Sequence, residues 1–206
     1  MRDLTGAASR LPEPAQRVEV TLDGAEATQA WAAELASVLR AGDVLILTGE
    51  LGAGKTTFTQ GLGAGLGVRE GIISPTFVLS RIHPTLGSGP DLVHVDAYRL
   101  GSAGELLDLD LDATVDRSVT VVEWGRGLAE TLVGFPDDPE ASWLDLELVR
   151  AEGGAPSEAG RPAEEGAGVG PFITDFSDED GTGADEVRTA VLRAYGPRWS
   201  GTSLPS

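Results

Sequence analysis

Apolar and polar positions change rhythm several times along the chain, and each change marks an element. Residues 17–22, "RVEVTL", alternate apolar with polar, the rhythm of a half-buried edge strand. In "DGAEATQAWAAELASVLRAGD", Ala27, Trp31, Leu35, Val38 and Leu39 recur at helical spacing, and Gly42 is placed to stop that helix. "DVLILTG" (43–49) is apolar almost throughout, as a strand buried in a parallel sheet should be. The next helix is expected from Lys55 to Leu66. Gly61, Gly63 and Gly65 lie inside it, each costing about 1 kcal/mol relative to alanine. Its second half is therefore expected to be either frayed or closely packed.

Downstream, "GIISPTFVLSRIH" (71–83) reads as a strand interrupted at Ser74-Pro75. "DLVHVDAYRL" (91–100) alternates up to Asp96, with His94 expected half-buried, and "GELLDLDLDA" is a short acidic helix or turn. "SVTVVEWG" (118–125) is a second buried strand ending at Glu123, and "SWLDLELVR" (142–150) looks like a late antiparallel strand. Strands alternating with helices predict one α/β domain over residues 17–150 with a mainly parallel sheet. Residues 1–16, polar and carrying Pro12 and Pro14, are expected to be a disordered lead-in. Residues 151–183 are acidic and rich in glycine, alanine and proline, the composition of a disordered linker. In the remaining tail, 184–206, "ADEVRTAVLRAY" places Val187, Val191 and Tyr195 on one face of a short helix.

Charge narrows the function classes. The 206 residues carry 33 acidic against 15 basic side chains, a formal net charge of −18. No cluster of basic residues offers the counterion release on which phosphate-backbone affinity rests, which argues against direct nucleic-acid binding. Cysteine is absent, which excludes disulfides, thiolate nucleophiles and thiolate metal sites and fits a reducing compartment. The N-terminus lacks the apolar run of a secretory signal, and nothing approaches the roughly 20 apolar residues of a membrane span. A soluble, cytoplasmic protein without membrane contact is expected.

The chemistry concentrates at Gly49-Glu50-Leu51-Gly52-Ala53-Gly54-Lys55-Thr56, which satisfies G-x-x-x-x-G-K-[ST] between a buried strand and a helix. Glycines let successive backbone N–H groups point inward as an anion nest, and the helix N-terminus adds its positive end. Lys55 would reach the β- and γ-phosphates and the Thr56 hydroxyl would bind Mg²⁺, with Thr57 next in the same turn. Lys55 is the only lysine in a chain that uses arginine fourteen times. A compact ammonium fits beneath phosphates where a planar guanidinium fork does not. The motif in this setting predicts a P-loop NTPase-like three-layer α/β/α sandwich.

Such a loop needs an acid at the end of a neighbouring strand. Asp96 and Glu123 both qualify, and either could position Mg²⁺ or the attacking water. Thr76, in the rigid "SPTF" segment, is a candidate sensor of Mg²⁺ or the γ-phosphate. Trp124 could stack on the base or on a partner, and Arg99 and Arg126 could neutralise phosphate charge. His83 and His94 do not read as a metal pair. A guanine-reading N-K-x-D motif is impossible with the single lysine already committed, so ATP is favoured by elimination.

Taken together, "GELGAGKTTFTQGL", "SPTF", "HVDAYRL" and "VEWG" occur in the order and approximate spacing of the TsaE (YjeE) family of bacterial P-loop ATPases, which this chain resembles over roughly residues 17–150. The resemblance implies a weak ATPase, stimulated by partners, needed for threonylcarbamoyladenosine (t6A) at position 37 of tRNA. It implies TsaD and TsaB as protein partners, with tRNA contacted only indirectly through their complex. It further implies that Lys55 contacts phosphates, Thr56 and Glu123 hold Mg²⁺, Asp96 lies near the γ-phosphate and Trp124 lies close to the nucleotide. The family often has proline where this chain has Gly125, and the acidic segment from Ala151 has no standard counterpart. A nucleotide-dependent binding module without essential hydrolysis, or a small-molecule P-loop kinase, are the alternatives.

Overall fold

The computed structural model describes residues 11–150 and 186–206, within which seven strands form one sheet. In chain order the elements are β1 (Gln16–Asp23), α1 (Gly24–Ala36), β2 (Val44–Gly49), α2 (Lys55–Leu66), β3 (Ser80–His83) and β4 (Asp91–Asp96). They continue with α3 (Ala103–Leu107), α4 (Asp112–Val115), β5 (Ser118–Glu123), a 3₁₀ turn (Ala129–Val133), β6 (Trp143–Arg150), β7 (Val187–Tyr195) and a last 3₁₀ turn (Pro197–Trp199). The strand order is β1-β7-β6-β2-β5-β4-β3. At the centre, β2 pairs in parallel with both β5 and β6, and β5 in parallel with β4. The outer pairs β1–β7, β6–β7 and β3–β4 are antiparallel. The sheet is therefore mixed, with a parallel core.

The apolar runs explain the core. In β2 the first four residues are buried, and β5 is buried along its whole length. Side chains of alternate residues leave on opposite faces. Leu45, Leu47, Val119 and Val121 join Trp31, Leu35, Phe58 and Leu62 of α1 and α2, while Val44, Ile46 and Val122 join Leu106, Leu111 and Ala129 on the other face. Each such side chain contributes about 1.5–3 kcal/mol by leaving water.

The helix from Lys55 to Leu66 forms as expected, and its glycines are closely packed rather than frayed. A Cβ on Gly61 would lie 2.4 Å from the carbonyl oxygen of Gln29, and one on Gly65 would lie 2.6 Å from the Ala36 Cβ. Four residues apart, they share one helix face, on which the backbone of α1 rests. Close approach between the two backbones offsets the helical cost of glycine.

Several expectations are corrected. The first helix ends at Ala36 rather than at Gly42, because its last turn tightens into bonds from Ser37, Val38 and Leu39 to carbonyls three residues back. Gly42, at φ +92, instead turns the chain into β2. Of the stretch 71–83, only Ser80–His83 is strand. The late strand, β6, is antiparallel to β7 but parallel to β2. The largest correction is the tail, where residues 187–195 form β7, not a helix. Ala190, Leu192 and Ala194 face α1 and α2 while Tyr195 joins the opposite cluster, so both faces are buried and no clean period of two survives. The sheet thus takes in residues well beyond position 150. The expected lead-in up to residue 10 and the linker 151–183 lie outside the described residues.

Candidate functional site

The carboxyl ends of β2, β4 and β5 meet at one edge of the sheet, where parallel α/β sheets place their ligands. From β2 the chain turns through residues 50–54 into α2, with Gly52 at φ +76 and Gly54 at φ +96. Those angles suit glycine and carry the loop around without a Cβ. Lys55, the first residue of α2, is 6% exposed. Its Nζ donates to the carbonyl oxygens of Gly49 at 2.9 Å and Glu50 at 3.0 Å. The same ammonium lies over the Trp124 ring, 4.1 Å from its centroid, a cation–π contact. Burial lowers the pKa of Lys55, while Glu123 and Asp96 act electrostatically to keep the charge. Thr56 and Thr57 follow in the first turn, both half-buried, and Ala53 is buried beneath the loop. Glu50 is exposed, and Leu51 at the loop tip is 89% exposed.

Facing the loop, Asp96 and Glu123 are opposite one another in register at the ends of β4 and β5. Both are buried, so each carboxylate needs partners to justify its place. Asp96 has three donors in reach: Thr76 Oγ1 donates to Oδ2 at 2.7 Å, Ser74 Oγ at 3.5 Å, and the Tyr98 N–H to Oδ1 at 2.9 Å. The "SPTF" segment is thereby docked on the strand-end acid. Glu123 Oε1 is 2.8 Å from Nε2 of His94. Two non-glycine residues with positive φ frame these acids, Leu79 at +63 and Trp124 at +61. Such conformations cost about 1–3 kcal/mol each and persist only where the surroundings enforce them. Here the Leu79 carbonyl accepts from the Asp96 N–H, and the Trp124 N–H donates to the Leu47 carbonyl. Gly125 is required next, since a Cβ there would lie 2.6 Å from Val122 Cγ1.

The structure thus brings together Lys55, Trp124, Asp96, Glu123 and Thr76. It does not bring Arg126 to them. That guanidinium donates to Asp145 at 2.7 and 3.0 Å and reaches toward Glu147, bracing β6. Arg99 is exposed and sits over the Phe77 ring. His94, expected half-buried, is fully buried.

A model of the threonylcarbamoyl adenosine biosynthesis protein TsaE matches residues 22–152. The chain belongs to the TsaE family. The tRNA threonylcarbamoyladenosine biosynthesis protein TsaE of Streptomyces coelicolor is 53% identical over 167 residues, covering 81% of this chain and 89% of that protein. Its counterpart in Mycobacterium leprae is 43% identical over 138 residues, 64% of this chain and 81% of that one. The crystal structure of Bacillus subtilis YdiB superposes with a TM-score of 0.56 at 26% identity, covering 89% of each chain. Membership of the TsaE family ties the protein to t6A biosynthesis.

Three residues of this TsaE-family site escaped the sequence reading. Arg150, at the end of β6, donates from Nη2 to the Gly52 carbonyl at 2.9 Å and pairs with Glu186 at 3.4 Å. Arg188, opposite Arg150 in register on β7, is 3% exposed and lies against Gly54. A Cβ on Gly52 would be 2.4 Å from Arg150 Nη2, and one on Gly54 would be 3.0 Å from Arg188 Nε. Those glycines therefore leave room for arginines as well as for a turn. Nothing local in the sequence signals contacts 98 residues apart. His94 is the third, and its place two residues before Asp96 on an alternating strand was the signal available for it.

Proposed function

We propose that this protein is an ATPase subunit of t6A biosynthesis, binding and hydrolysing ATP with Mg²⁺ to support turnover of a TsaB–TsaD complex on tRNA. The observation that carries the reading is the convergence of a buried Lys55 at a glycine loop with two buried strand-end carboxylates, Asp96 and Glu123. The loop between β2 and α2 fits a polyphosphate: it presents a helix N-terminus and the one lysine of the chain. The oxygen donors Thr56, Glu123 and Asp96 suit Mg²⁺, which is usually held by one or two carboxylates together with phosphate oxygens.

In this reading, residues 49–56 cradle the phosphates, with Lys55 exchanging loop carbonyls for β- and γ-phosphate oxygens. Thr56 and Glu123 would hold Mg²⁺, which supplies charge neutralisation on the phosphates. Asp96 would orient the attacking water, and Thr76, already bonded to it, would report γ-phosphate occupancy to the "SPTF" segment. Trp124 covers the lysine and would close the side nearest the nucleotide. The exposed apolar residues Leu51, Ile73, Phe77, Val78 and Tyr98 around the site support docking to protein partners rather than to tRNA. The net charge of −18 supports the same division of labour. Among the described residues no helix is long and apolar enough to cross a membrane, and a cytoplasmic setting is proposed with this function.

The test is threonylcarbamoylation of tRNA reconstituted with TsaB and TsaD, followed over many turnovers with and without this protein. Turnover should stall without it; equal progress in both reactions would sink the reading. Rapid ATP hydrolysis by the isolated protein would remove the accessory role. The exposed apolar rim favours one second reading, a nucleotide-dependent binding module. It predicts that Lys55→Ala abolishes support of the complex while Glu123→Ala does not.

A further inference from the structure

Glu123 lies within electrostatic reach of Lys55, yet the two do not form an ion pair. The ammonium donates to loop carbonyls, and the carboxylate is held from the other side by His94. Opposite charges this close in a buried site attract strongly, and direct pairing would take both groups out of service. Something must keep them apart, and the geometry of β4 and β5 supplies it.

His94 is paired in register with Val121, and Asp96 with Glu123. His94 therefore reaches Glu123 along the diagonal of the two strands, a span that long side chains bridge. The side chains are 0% and 4% exposed. On this face His94 stands among Leu92 of its own strand and Val119 and Val121 of the next, with the buried His83 ring of β3 on its other side at 6.3 Å between centroids and no hydrogen bond between the two rings. A polar ring in such a wall costs free energy unless it is hydrogen-bonded. Its Nδ1 is buried without a hydrogen-bond partner, so the polar interaction of the ring is spent on Glu123.

We propose that His94 is a positioning residue whose Nε2–H donates to Glu123 Oε1, fixing the carboxylate away from Lys55 and leaving Oε2 for the divalent cation. The proposal rests on the reading of Glu123 as a Mg²⁺-holding residue. Groups that orient a metal-binding carboxylate typically change metal affinity 10–100-fold when removed. No proton transfer is involved: the ring serves as a fixed donor, and its removal frees the carboxylate to collapse onto the ammonium.

Three substitutions separate this role from mere packing. The side-chain amide of His94→Gln reaches the place of Nε2, that of His94→Asn ends near Nδ1, and His94→Leu fills space without a donor. Mn²⁺ binding to the full-length protein with ATP is measured by electron paramagnetic resonance. Metal-free affinity for a fluorescent ATP analogue and the melting temperature are measured alongside. Gln should hold Mn²⁺ within about threefold of the unsubstituted protein, whereas Asn and Leu should lose about tenfold or more. Metal-free nucleotide affinity should stay constant in Gln and fall severalfold in Asn and Leu, where the freed Glu123 carboxylate competes with phosphate for Lys55. Unchanged Mn²⁺ affinity in Asn and Leu overturns the proposal, as does an equal loss in Gln, Asn and Leu that follows melting temperature. Should Leu fail to fold, the contrast between Gln and Asn decides. Glu123→Gln is the control for the underlying reading: if it binds Mn²⁺ normally, the assignment of Glu123 itself fails, and the role of His94 with it.

Discussion

The two sides of the glycine loop between β2 and α2 are built from different material. In front, at the ends of β4 and β5, stand buried acids, Asp96 bonded to Thr76 of the "SPTF" segment and Glu123 to His94 on the adjacent strand. Behind it, at the facing ends of β6 and β7, stand two arginines: Arg150 donates to the Gly52 carbonyl and Arg188 lies against Gly54. The front carries chemistry that a motif announces. The back carries support, and only the three-dimensional pairing of β6 with β7 reveals it. The proposed phosphate site is thus a loop held, on one edge of the sheet, between two groups of strand ends of opposite charge, and the two should fail differently when altered.

The largest effect is expected in front. Asp96→Asn keeps the shape of the side chain but removes its charge, and should lower partner-stimulated ATP hydrolysis about 100- to 1000-fold while leaving ATP binding within a few fold. A loss of binding equal to the loss of rate would instead make Asp96 part of the scaffold. Next, Lys55→Ala should weaken binding of a fluorescent ATP analogue about 100-fold, the order expected for charged hydrogen bonds lost from a buried site. Lys55→Arg should fare little better, because the two loop carbonyls and the Trp124 ring enclose a point charge rather than a fork.

Behind the loop the effects shrink and become coupled. Gly52→Ala meets both φ +76 and Arg150 Nη2 at 2.4 Å, and should weaken nucleotide binding about tenfold. Arg150→Ala alone removes a hydrogen bond from a partly exposed side chain and should cost about 0.5–1.5 kcal/mol, read as a threefold to tenfold weaker affinity. In the double variant the steric part of the Gly52 penalty should vanish, so the two losses should add to less than their sum. Strict additivity in titrations of all four proteins would show that Arg150 and Gly52 do not act on one another, and would break the contrast drawn between the two sides.

The same contrast explains what was legible in the sequence. β2, β5 and α2 announce themselves through long apolar runs and a motif that requires a helix after it, and they form where expected. Lys55 could be named from its motif, and Asp96 and Glu123 because a strand-end acid after an apolar run is a local pattern. β7 could not. Buried on both faces between β1 and β6, it offers an alanine- and arginine-containing stretch whose Val187, Val191 and Tyr195 fit a helix equally well. The usual hairpin signal is also missing, since β6 and β7 are joined by residues 151–186 rather than by a tight turn. With β7 unread, Arg188 and its alignment with Arg150 were unreadable too. His94 was misjudged for a different reason: alternation assigns a face, but not whether a polar partner waits on it.

The glycine face of α2 has a mechanical consequence. Where two helix backbones touch directly, no layer of side chains remains between them to change rotamer and let one slide along the other. Gly61 and Gly65 therefore couple α2 to α1 as a single body, and the loop that opens α2 inherits that stiffness at its far end. A rearrangement accompanying the proposed nucleotide turnover is then expected on the opposite side, in the segments that hold Leu79 and Trp124 in left-handed conformations. In the proposed cycle the helix pair would be the anvil of this site, and the loops around the two acids the part that moves against it.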